Sequence, residues 1–126
     1  MPEILTQPNE KRCHRTRETH ILPLAECCPY SHNPRPGSEI QISYDVTDKI
    51  LEVESLRAYV DSYIGGKGEI RSMEGMIQAI TQDCADAAGT MCHTVAELVI
   101  EPNQRMRLEC AAYCSNTQDD SPRSRG

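Results

Sequence analysis

Ser38-Glu39-Ile40-Gln41-Ile42-Ser43-Tyr44 alternates without a break, with Ile40, Ile42 and Tyr44 on one side and Glu39, Gln41 and Ser43 on the other. Strict period-two alternation makes a β-strand with one face in a core and the other outside it. The rest of the chain must therefore cover one face of a sheet. Upstream, residues 25–37 carry Pro29, Pro34, Pro36 and Gly37 and form a loop stiffened in several places. Before that loop, residues 16–24 mix β-branched and apolar side chains up to Pro23, a first strand to pair with 38–44. Residues 1–13 are polar with Pro2 and Pro8, and are expected to be a flexible arm.

Downstream, residues 45–49 form a turn, after which the period changes. Leu56, Tyr59, Val60, Tyr63 and Ile64 fall at i, i+3, i+4, i+7 and i+8, an apolar helical stripe stopped by Gly65-Gly66-Lys67-Gly68. Met73, Met76, Ile77, Ile80 and Cys84 repeat that spacing, predicting a second helix over 72–88 that ends at Gly89. Period two then returns in 92–100 and 105–113, joined by a hairpin turn at Glu101-Pro102-Asn103-Gln104. Residues 115–126 are polar and are expected to be disordered. The order is ββααββ, an α+β fold with a four-stranded antiparallel sheet and both helices on one face. The sheet's remaining face and edges call for an oligomer.

Bulk properties agree with one domain, bounded here at 14–114 within 126 residues. Phe and Trp are absent and all five aromatics are Tyr, so the core rests on aliphatic side chains. A net charge of −6 argues against a general phosphate-backbone binder, and the basic run at residues 11–17 reads as a solvated arm. No apolar stretch approaches the roughly 18–20 residues that span a bilayer, and no signal-peptide core precedes the domain, so a cytoplasmic protein is expected. Seven cysteines, an odd number without the spacing of a secreted framework, read as thiols. The Gly65–Gly68 cluster follows no strand and is a helix terminator, not a phosphate loop. Met73 and Met76 belong to a helix core.

Chemistry concentrates in Cys27-Cys28-Pro29-Tyr30-Ser31-His32-Asn33-Pro34, with two thiols and an imidazole ahead of the strand. A thiolate there could attack an electrophilic carbon or hold a metal. Adjacent residues of an extended chain face opposite ways, so one of Cys27 and Cys28 can face a pocket. Arg35 or His32 could favour the thiolate. The metal reading joins Cys28 and His32 to Cys110 or Cys114, three ligands with an open position for zinc. No pair here has a recognised zinc spacing, and no metal is the preferred expectation.

The ββααββ order with a Cys-Pro loop before the second strand resembles the tunnelling fold, which includes GTP cyclohydrolase I. Within it the chain is most similar to the QueF family, the 7-cyano-7-deazaguanine reductases of queuosine synthesis. Cys28-Pro29-Tyr30-Ser31-His32-Asn33-Pro34 resembles the family's Cys-Pro-x-Thr-Gly-Gln-Pro-Asp. The strand Ile40-Gln41-Ile42-Ser43-Tyr44 follows. Glu52-Val53-Glu54-Ser55-Leu56-Arg57-Ala58-Tyr59 resembles Glu-Ser-Lys-Ser-Leu-Lys-Leu-Tyr, and Glu74 stands where the family has the second residue of a His-Glu pair. The closing hairpin also resembles the family's, and the likeness spans about residues 16–114. Departures stand at Arg35 (the family's proton-donating Asp), Val53 (Ser), Glu54 (a Lys associated with nicotinamide) and Met73 (His).

The resemblance implies that Cys28 adds to a nitrile carbon to give a thioimide, which NADPH reduces to 7-aminomethyl-7-deazaguanine. It implies Glu74, Glu52 and Ser55 as substrate-binding residues and Arg57 toward the cofactor, with His32 standing in as acid for the missing Asp. Glu74 would accept two parallel hydrogen bonds from a base edge, although an acid in a first helical turn is favourable without a ligand. Subunits would close into a barrel with pockets shared between them. Alternatives on the same scaffold are an amidinotransferase adding ammonia to the nitrile of modified tRNA, a zinc cyclohydrolase-like enzyme, and a non-catalytic purine- or pterin-binding protein.

Overall fold

The computed structural model describes residues 2–10, 15–24, 26–101 and 103–115. The basic residues at 11–14, Pro102 and the tail over 116–126 lie outside them, so the expected disorder of the tail concerns residues not described.

Eight elements follow one another: β1 (Thr6–Pro8), β2 (Arg17–Pro23), β3 (Arg35–Asp45), β4 (Lys49–Leu51), α1 (Val53–Asp61), α2 (Met73–Ala88), β5 (Cys92–Glu101) and β6 (Gln104–Ala112). The main sheet is antiparallel with order β2-β3-β5-β6, and β1 and β4 form a two-stranded ribbon. This is an α+β fold with two helices, as the periodicities predict.

The alternation that defines β3 is realised in register. Ser38, Ile40, Ile42 and Tyr44 are buried, and Ile40 and Ile42 lie opposite Ala96 and Thr94 of β5. On β5 the inward set is Cys92, Thr94, Ala96 and Leu98. Leu56, Tyr59 and Val60 of α1 and Met76, Ile77, Ile80 and Cys84 of α2 complete the same core. With no Phe or Trp to fill it, full burial of each Ile or Leu contributes about 1.5–3 kcal/mol. Thr81 of α2 is buried among them although polar, as are Ser38 and Thr94 of the sheet. The Thr81 hydroxyl donates to the Ile77 carbonyl at 2.7 Å and lies 2.6 Å from the Thr94 hydroxyl, tying α2 to β5 with no orphaned group.

Four expectations are corrected. Part of the presumed arm is strand: Thr6, Gln7 and Pro8 pair with Leu51, Ile50 and Lys49. The turn after β3 accordingly runs straight into β4. Strand β3 begins at Arg35, three residues early, because a register shift between Arg35 and Glu39 is stabilised by Ser38, whose hydroxyl donates to Arg35 O (2.7 Å) and accepts from Val99 N (2.8 Å). Finally, α1 ends at Asp61 and Ile64 is exposed, since the chain turns there through Gly65 and Gly66 with φ of 83° and 98°.

Helix α2 runs almost as its spacing predicts. Ser72 caps it by accepting from Gly75 N at 2.9 Å, and Gly89 ends it in the left-handed conformation at φ 75°. Arg15, just before β2, and Arg17, its first residue, both pair with Asp45 at 3.3 and 3.1 Å, anchoring the start of β2 to the end of β3.

Candidate functional site

Backbone hydrogen bonds close residues 27–33 into a tight loop. Cys27 N and Cys28 N both donate to Asn33 O, at 2.8 and 3.1 Å, and His32 N donates to Cys28 O at 2.9 Å. Gly65 N donates to Glu26 O at 3.2 Å, so the segment after α1 holds the start of the loop. The Asn33–Pro34 peptide is cis, and His32 sits at φ 63°, in the left-handed region.

This frame sends the two thiols opposite ways. Cys27 is fully buried in the core, where burial pushes its thiol up, Cys28 adds to the rise and Arg71 opposes it. Cys28 faces outward into a cavity of about 330 Å³ lined by Cys28, Ser31, Asn33, Arg71, Ser72, Met73 and Glu74. The Cys28 thiol is held below its ordinary range, chiefly by the Ser31 side chain and then by the N–H groups of Ser31 and Tyr30. Desolvation opposes this, and the charge of His32 is the smallest of the influences that lower it. The Ser31 N–H reaches the sulfur at 3.4 Å. Donors converging on sulfur favour its anionic form, which is the nucleophile.

The opposite wall of the cavity is the start of α2, from Arg71 to Glu74. The positive end of the helix dipole lies here, a favourable setting for an anion. Glu74 and Cys28, some forty-five residues apart in sequence, thus share one cavity. Its volume falls at the low end of the range of about 300–1,000 Å³ for small-molecule sites. Met73 lines the cavity and also packs on the core.

The other expected residues lie elsewhere. The Glu52 side chain caps α1, accepting from Ser55 N at 2.9 Å, and the Ser55 hydroxyl accepts from Leu5 N at 2.9 Å and donates to Glu52 O at 3.1 Å. The Leu5 bond ties the residue before β1 to α1, and neither side chain lines the cavity. Arg57 pairs along its own helix with Asp61 at 3.2 Å. Arg35 turns onto Ser31 O and Asn33 Oδ1, at 3.3 and 3.4 Å, so Ser31 and not Arg35 favours the thiolate. His32 stands at the loop's outer edge, its Nδ1 2.9 Å from Glu26 Oε2.

Sequence reasoning missed Ser31, Arg71 and Glu26. The signal for Ser31 was present, because it occupies the hydroxyl position of the Cys-Pro-x-Thr pattern. Arg71 and Glu26 gave none, since each acts through a loop closure that spacing does not reveal. As for zinc, no three His, Cys, Asp or Glu side chains come together as a metal-holding group among the described residues. The six described cysteines are free thiols. Comparison with protein-family models and with curated proteins finds no match.

Proposed function

We propose that this chain is a tunnelling-fold enzyme of the QueF type that captures the nitrile of a 7-cyano-7-deazaguanine-like base on Cys28. The observation carrying this reading is that an accessible, acidified thiol and a carboxylate, Cys28 and Glu74, line one cavity of heterocycle size. Cys28 sulfur bonds to the nitrile carbon, one carbon–nitrogen π bond opens, and its electron pair takes up a proton at nitrogen. Glu74 accepts hydrogen bonds from the N–H and exocyclic amine on the far edge of the base. With the β1–β4 ribbon set aside, the main-sheet strands and the helices follow the order ββααββ, which supports the fold assignment. Strands β2 and β6 are the sheet's two edges, and joining them between subunits makes the barrel. No helix among the described residues is long and apolar enough to cross a membrane, and a cytoplasmic enzyme is part of the same proposal.

Reduction by NADPH is the fate of the thioimide that the resemblance implies. The residues of α1 do not fit that cofactor. Arg57 is paired with Asp61, and Glu54 stands in the first turn of the same helix, so the surface opposes a dinucleotide's phosphates. This favours a second reading, transfer of ammonia. Ammonia adds to the thioimide carbon, the carbon–sulfur bond breaks, and the Cys28 thiolate departs from an amidine.

Mixing the protein with 7-cyano-7-deazaguanine tests the shared first step. A new near-ultraviolet absorbance is expected in wild type and in Cys27→Ala, and none in Cys28→Ala. Wild type without the band sinks both readings. Consumption of NADPH on mixing then marks the reductase, and an amidine product formed with ammonium marks the transferase.

A further inference from the structure

We propose that Arg71 sets the specificity of the Cys28 cavity. Its guanidinium donates to the ring carbonyl of a 2-amino-6-oxo heterocycle, while Glu74 holds the neighbouring N–H and amine. This deepens the base-binding reading above and rests on it for the ring's place in the cavity.

The first argument is the inventory of the wall. Among the described residues that line the cavity, Arg71 is the one cation and Glu74 the one carboxylate. They stand three positions apart, yet they form no ion pair with each other. Neither has a side-chain hydrogen bond or ion pair with any other described residue. Arg35, on the neighbouring loop, is already committed to Ser31 O and Asn33 Oδ1 at 3.3 and 3.4 Å. Both Arg71 and Glu74 are exposed on the cavity side of the helix start, where an incoming ring can reach them.

The backbone explains why the two charges stay apart. Ser72 caps α2 from an extended conformation, with φ −97° and ψ 154°. Arg71 therefore lies off the helix and does not stack on Glu74 as residues three apart within a helix do. Its side chain lies along Gly66 instead, where φ is 98°. A Cβ at that glycine would stand 3.0 Å from Arg71 Nη1 and 3.5 Å from its Cγ and Cζ. The absent side chain at position 66 makes the room in which the guanidinium rests.

A donor and an acceptor held apart on one wall match a flat ring edge of the reverse pattern. A carboxylate accepts from two adjacent donors, a ring N–H and an exocyclic amine, and a guanidinium donates to the carbonyl oxygen beside them. The 2-amino-6-oxo edge presents donor, donor and acceptor in that order. A 6-amino ring sets an acceptor against the carboxylate and a donor against the guanidinium. A site whose polar groups are left unpaired rejects such a ring. Met73 lines the same wall and offers a polarizable thioether to the ring.

The test is calorimetric titration of the full chain with 7-deazaguanine, which has no nitrile and so forms no thioimide. Two relatives changed at one position each complete the set. 7-Deaza-6-thioguanine weakens the acceptor at position 6 and keeps both donors; 7-deazahypoxanthine keeps the carbonyl and the ring N–H and lacks the amine. Wild type is expected to bind 7-deazaguanine several-fold more tightly than either. Arg71→Met should bring the oxo-to-thio ratio close to one and leave the amine ratio unchanged, and Arg71→Lys should restore part of the oxo preference. Glu74→Gln should do the reverse, lowering the amine ratio and sparing the oxo-to-thio ratio. An Arg71 with a merely structural role would weaken all three ligands alike. That result, or an oxo preference that persists in Arg71→Met, overturns the proposal and leaves the base reading in place. A wild type that binds none of the three overturns the base reading, and the Arg71 assignment with it.

Discussion

At the residue scale, the account turns on what surrounds one sulfur. The Ser31 side chain is the largest influence lowering the Cys28 thiol, with backbone N–H groups of Ser31 and Tyr30 behind it. Because the folded thiol titrates below its ordinary range, the share of thiolate at a given pH is raised, and the thiolate is lost as pH falls through the lowered value. Ser31→Ala should therefore raise the midpoint of Cys28 alkylation and cut its neutral-pH rate several-fold, with Cys27 unaffected. An unchanged midpoint would mean the backbone donors suffice. The split between the two thiols was legible in the sequence, since neighbours on an extended segment face apart. The meeting of Cys28 with Glu74 came only from family resemblance. Glu26 was beyond reach, because its partner His32 is brought to it by a left-handed kink that no periodic pattern encodes.

At the element scale, helix starts matter most. Ser72 caps α2 and lines the cavity, so Ser72→Ala should cost about 1 kcal/mol of stability and loosen the wall that carries Glu74. Glu52 offers a contrast. Its carboxylate caps α1 away from the cavity, so Glu52→Ala should lower the melting temperature by a few degrees while leaving Cys28 alkylation unchanged. A slower Cys28 reaction would instead return Glu52 to the site. Between elements, Thr81→Val strips the Thr94 hydroxyl of its buried partner and should cost about 1–3 kcal/mol in urea unfolding, with an unchanged m-value. Both helices, β3 and the final hairpin were readable because each carries a long run of one period. The ribbon of β1 and β4 was not, since three residues are too few to show a period and each strand exists through its pairing with the other.

At the scale of the whole molecule, an aliphatic core and a sheet with two open edges shape the protein's behaviour. Strands β2 and β6 each pair on one side only among the described residues, and Ile21 is 59% exposed on the outer face of β2. Such edges favour strand pairing between copies. Sedimentation is expected to show a homo-oligomer, and lysines placed at Thr19 and Ile21 are expected to shift it toward monomer. A wild-type monomer would remove the shared-pocket barrel while leaving the Cys28 cavity, which one chain builds alone. The central claim is that this cavity forms a covalent bond through Cys28, and intact mass after incubation with 7-cyano-7-deazaguanine reads it directly. The expected result is a gain of one base per chain in wild type and Cys27→Ala and none in Cys28→Ala; an unmodified wild type, or an adduct that survives in Cys28→Ala, would contradict it.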